Sequence, residues 1–132
     1  MITREADYAI RAVASLASLE PGQSVSCAQL AEQTDVPYRF LRKIVRKLAG
    51  ADIVESRRGR AGGLKLSRKP KQLSLLDVIC AIDARGTKLN VCFDATLECG
   101  REATCRTHQK LKPVQRELER RLAAITFDDL AT

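Results

Sequence analysis

No acidic residue occurs between Val36 and Ala51, and this stretch alone limits what the chain can become. Within it Leu41, Ile44, Val45 and Leu48 recur at i, i+3, i+4 and i+7, the spacing of one buried helical stripe. Arg39, Arg42, Lys43, Arg46 and Lys47 fill the remaining faces. A surface helix stabilised by its own ion pairs would alternate in sign. This one must lie on a core and turn an uncompensated positive field outward, toward something negative.

The flanking sequence supplies the core. Residues 4–19 predict a first helix with Ala6, Ala9, Ile10, Val13, Leu16 and Ala17 on its apolar side, ended by Glu20-Pro21-Gly22. Ser26 caps a second helix, with Gln29 placed to close a capping box. Asp35-Val36-Pro37 makes the turn into the basic helix, which starts at Pro37 or Tyr38 and ends near Gly50. Ile53–Ser56 and Leu64–Leu66 read as two short strands, joined through an arginine- and glycine-rich tip. Helix, turn, helix and basic hairpin in this order describe a winged helix-turn-helix.

Ser74 then caps a further helix, with Leu76, Ile79 and Cys80 on one face and Cys80 expected in the core; Cys27 also reads as structural. Residues 86–107 predict a loop. A long helix follows from about His108 to Ile125, with an a/d-like stripe of Leu111, Val114, Leu118, Leu122 and Ile125. Its regular part is expected to begin at Pro113, because proline does not sit deep inside a straight helix. Thr126–Leu130 reads as a short capped turn. The expected fold is mainly α with a small β-hairpin. It comprises a winged helix-turn-helix domain over 1–85, a cysteine-bearing loop over 86–107, and a C-terminal dimerisation helix and tail over 108–132.

Charge supports a polyanionic partner. Of a net +7 over 132 residues, the segment 38–71 holds twelve Lys or Arg against Asp52 and Glu55. Arginine donates in pairs to guanine edges and lysine meets phosphate. Arg39, Arg42 and Lys43 are therefore expected in the major groove, Arg46 and Lys47 on the backbone, and Arg58 and Arg60 in the minor groove. The expected partner is a double-stranded, pseudo-palindromic DNA operator. No apolar run reaches membrane-spanning length, and the charged start lacks a signal-peptide core, so a cytoplasmic location and no membrane partner are expected. No nucleophile–base pair or phosphate-binding glycine loop points to an enzyme.

Cys92, Cys99 and Cys105 form C-x6-C-x5-C, with His108, the chain's only histidine, three residues later. In a reducing compartment, clustered thiols point to a metal site or a redox role. Structural zinc sites favour closer pairs. The wider gaps suit a loop around a larger iron–sulfur cofactor. Zinc and a metal-free thiol switch remain alternatives.

Several segments together resemble the iron–sulfur-dependent winged-helix transcription regulators of the IscR, NsrR and RirA type. They are Ile2–Ala12, Arg58-Gly59-Arg60-Ala61-Gly62-Gly63, Asp77-Val78-Ile79, the three cysteines, and Ala124-Ile125-Thr126. The resemblance covers nearly the whole chain. It implies a homodimer with crossed C-terminal helices and a cluster held by Cys92, Cys99 and Cys105, near the partner's DNA-binding domain. It implies His108 as fourth ligand of a [2Fe-2S] cluster, the first expectation. The alternative is Asp7 of the other subunit on a [4Fe-4S] cluster. The chain departs from the cluster-assembly branch in its first cysteine gap (six residues for five), in Arg42 where that branch has an acid, and in Leu64 where an aromatic is frequent. The functional expectation is a regulator, a repressor by type, whose operator affinity follows a bound cluster. The alternatives are a cluster-free thiol switch and a small iron–sulfur or metal carrier.

Overall fold

The computed structural model describes residues 2–58 and 62–131. Helix α1 (Arg4–Ala17) starts where the Thr3 hydroxyl accepts the Ala6 N–H at 3.1 Å. It buries Ala6, Ala9, Ala12, Val13 and Leu16. Three alanines on that face keep it thin, and α1 packs against α2 (Cys27–Thr34), α3 (Tyr38–Gly50) and α4 (Leu75–Ile82). The predicted capping box at Ser26 and Gln29 is present, and Asp35 ends α2 in the left-handed conformation (φ 54°). In α3 Leu41, Ile44 and Leu48 are fully buried and Val45 is half-buried.

The hairpin pairs β1 (Val54–Arg57) with β2 (Gly63–Leu66) antiparallel, Val54 opposite Leu66 and Arg57 opposite Gly63. The tip side of β2 is tied to the loop before α2: Leu64 N–H donates to the Val25 carbonyl at 2.6 Å, and Val25 N–H returns to the Leu64 carbonyl at 3.1 Å. Gly63 (φ +156°) makes this approach feasible, because a Cβ there would lie 2.9 Å from the Val25 oxygen. Arg68 ties off the C-terminal end of α3 by donating to the carbonyls of Ala51 (2.8 Å) and Asp52 (3.1 Å).

Three expectations need correction. Helix α4 has its predicted Ser74–Asp77 capping box, but its buried face is Val78, Ile79 and Ile82, and Cys80 is exposed. The long helix α5 (Arg106–Ala124) runs through Pro113 rather than starting there; Pro113 lies on the exposed side, where the carbonyl that loses its helical donor is open to solvent. The apolar stripe of α5 does not share one environment: Leu111, Leu118 and Leu122 are half-buried, whereas Val114 is 53% and Ile125 38% exposed.

The chain after α5 returns to the first domain. Leu75 N–H donates to the Ile125 carbonyl and Phe127 N–H to the Leu73 carbonyl, both at 2.9 Å. Phe127, on the short α6 (Phe127–Leu130), is completely buried in the main core. Helix α5 is thus fastened at its C-terminal end to the entry of α4.

Candidate functional site

The basic face of α3 is open. Arg39, Arg42, Lys43 and Arg46 are all exposed and, with Tyr38, line one shallow groove of about 290 Å³. The Arg42 guanidinium lies 5.9 Å from the Tyr38 ring centroid, within cation–π range. Lys47 behaves differently. Its Nζ is 2.8 Å from Glu5 Oε1 and 3.5 Å from the Ile82 carbonyl, so its charge ties α3 to α1 and α4. Arg58 is exposed on the hairpin, and Arg60 lies outside the described residues. Burial pushes the Cys27 thiol up, against a smaller opposing pull from Arg42.

The cysteine segment converges on His108. Cys92 sits in a single 3-10 turn, Val91–Phe93, started by the Asn90 side chain accepting Val91 N–H at 2.8 Å. Its Sγ is 3.3 Å from His108 Nδ1. Cys105 is the N-cap of α5, and its sulfur accepts the His108 N–H at 3.5 Å. The imidazole is only 6% exposed, stacks on Phe93 with centroids 4.9 Å apart, and has its Nε2 3.5 Å from Glu102 Oε1. Cys99 is exposed and lines the same cavity of about 550 Å³ as Cys92 and His108; Cys105 and Asp7 are not among its lining residues. Asp7 pairs instead with Arg11 at 2.7 Å on α1.

Among the described residues, no three His, Cys, Asp or Glu side chains converge closely enough to hold a metal ion. The donor set fits a thiolate-bound cofactor in kind: three thiols and one imidazole lie on a single loop and helix start, with two thiols and the ring bordering one cavity.

The loop is anchored by residues that periodicity did not single out. Buried Gln115 accepts Leu89 N–H at 2.8 Å and donates to the Thr87 carbonyl and Glu119, both at 2.9 Å. Lys88 meets Glu119 at 2.7 Å, and this hydrogen bond holds the Glu119 carboxyl below its ordinary range. Asp94 accepts from Thr96 N–H (2.9 Å) and hydroxyl (2.6 Å) and faces Arg85; the Thr96 bonds lead in holding its carboxyl low. The signal that could have found Gln115 is its position seven residues after His108, on the same helical face.

A winged helix with an exposed basic recognition helix, joined to a thiol-bearing loop, defines the class of DNA-binding regulators. The chain belongs to the Rrf2 family, described as "Iron-dependent Transcriptional regulator", whose model matches residues 2–132. The transcriptional repressor NsrR of Streptomyces coelicolor is 26% identical over 98% of this chain and 86% of its own length. Several relatives at 36% or 37% identity are matched over 49% to 51% of their own length. Among solved structures, T. potens IscR overlays with a TM-score of 0.76 at 23% identity, covering 98% of this chain and 85% of that one. CymR, the global cysteine regulator of B. subtilis, overlays at 0.80 and 22% identity, covering 99% and 95%. These two share the fold. The family consists of transcriptional regulators rather than enzymes, and no helix among the described residues is long and apolar enough to cross a membrane.

Proposed function

We propose that this regulator acts as a homodimeric repressor whose affinity for a pseudo-palindromic operator is set by an iron–sulfur cluster on Cys92, Cys99 and Cys105. The carrying observation is that Cys92, Cys99 and His108 border one cavity while Cys105 caps the helix leading from it. His108 is favoured as fourth ligand over Asp7, because it already contacts Cys92 whereas Asp7 is paired with Arg11. The exposed Val114 on α5 and Ile125 just beyond its C-terminal end suit burial against a second copy. Arg39, Arg42, Lys43 and Arg46 meet the major groove and nearby phosphates, and Arg58 with Arg60 serves the wing.

A bound cluster supplies a centre responsive to iron supply, redox state or nitric oxide. The 92–108 loop and the start of α5 would then shift between two arrangements, and with them the spacing of the two recognition helices. The test is anaerobic purification with iron and sulfide analysis and Mössbauer spectroscopy, alongside operator binding of the Cys92→Ala, Cys99→Ala, Cys105→Ala triple variant. Unchanged binding, with no visible-range absorption in either protein, sinks the proposal.

A second reading is favoured by one observation. Cys92 and Cys105 both touch His108 as free thiols, and among the described residues no triple donor set is assembled. In that reading the cysteines form a cluster-free switch that peroxide oxidises to a disulfide. Non-reducing electrophoresis after peroxide, in protein that carries neither iron nor sulfide, identifies it.

A further inference from the structure

The geometry points to Glu102 as the positioning residue that fixes which nitrogen of His108 faces the thiols. His108 is buried, and its ring stacks on Phe93 with the two planes 29° apart, so rotation is restricted. Its two nitrogens meet opposite chemistry. Nε2 lies 3.5 Å from the Glu102 carboxylate, which only accepts when ionised, while Nδ1 lies 3.3 Å from the Cys92 sulfur. A neutral imidazole carries one proton. Beside an anionic acceptor that proton belongs on Nε2, which leaves the Nδ1 lone pair facing Cys92 and the cavity.

A carboxylate behind a histidine is a recurrent device for setting tautomer and ring orientation at metal sites. Glu102 lies between Cys99 and Cys105 on the same loop, so it moves with the donors it serves. Its side chain is 59% exposed, and the role is electrostatic rather than packing. If the cluster reading of the preceding subsection holds, Nδ1 is the atom the imidazole offers. The tautomer assignment itself stands without that reading.

The test exploits the single histidine. Long-range proton–nitrogen NMR on the cluster-free 132-residue chain, above the ordinary imidazole titration range, reads the tautomer of His108 without ambiguity. The Nε2-protonated form is expected to dominate in the native protein. Glu102→Ala should lose that preference, and Glu102→Gln, which retains an acceptor oxygen, should restore most of it. A dominant Nδ1-protonated form, or a tautomer unchanged in Glu102→Ala, overturns the assignment. In anaerobically reconstituted protein the visible circular dichroism of Glu102→Ala should differ from native while Glu102→Gln stays close to it; identical spectra for all three count against the positioning role. If no cluster assembles in the native protein, the cluster reading falls while the nitrogen spectra still decide this one.

Discussion

The Oε1 of Gln115 accepts the Leu89 N–H at 2.8 Å, while its Nε2 donates to the Thr87 carbonyl two residues earlier. One buried amide thus satisfies two backbone groups at the entry to the cysteine loop. Gln115→Ala leaves both without their partner, a loss of about 1–3 kcal/mol. Calorimetry should show a lowered melting temperature. Hydrogen exchange should show Leu89 opening, with α1 to α3 remaining protected.

Acid should loosen the same anchor. The Lys88 hydrogen bond depresses the Glu119 carboxyl, so the folded state prefers the ionised form. The stabilisation is complete above the ordinary carboxylate range and is lost as pH falls through the depressed folded value. The pair is part-exposed, and the effect is local. The protection factor at Leu89, its exchange rate relative to the intrinsic rate at the same pH, should fall on acidification in the native protein, and Glu119→Gln should flatten that dependence.

Arg42 and Lys47 lie on one helix but should behave as different kinds of residue. Arg42 is open, and Lys47 is engaged by Glu5 and Ile82. In anisotropy titrations against salt, Arg42→Ala should reduce the log–log slope by about one. Lys47→Ala should leave the slope nearly unchanged and cost about 0–1 kcal/mol of stability instead. Equal slope losses would place Lys47 on the DNA.

Gly63→Ala should uncouple the wing. The new methyl would sit 2.9 Å from the Val25 oxygen, so either the Val25–Leu64 bridge or the strand must move. A destabilisation of about 1–3 kcal/mol is expected. Operator affinity should fall more than that of a variant altered only at an exposed wing residue such as Ser56.

These contrasts mark how far the sequence could be read. The capping boxes at Ser26 and Ser74 and the stripe of α3 were legible because they are local: each depends on residues within a few positions. Cys80 was misplaced because α4 has only eight residues and admits two neighbouring faces that share Ile79. Packing against α1 and α3 selected Val78 and Ile82. The thiols and His108 were visible by spacing. Glu102 and Gln115 were not, since exposed and buried polar residues look alike until the loop is folded onto α5. Lys47 likewise read as one more cation until Glu5, 42 residues away, took it up.

Helix α5 begins on the sulfur of Cys105 and is stitched at its far end to Leu73 and Leu75. Nineteen residues of helix make a beam of about 28 Å. The beam is held to the cysteine loop by His108 against Cys92 and by Gln115 against Leu89 and Thr87, and its far end runs on to Phe127, which enters the core beneath α1. The thiol loop and the interior of the DNA-binding domain are therefore mechanically in series, with α5 as the connecting rod.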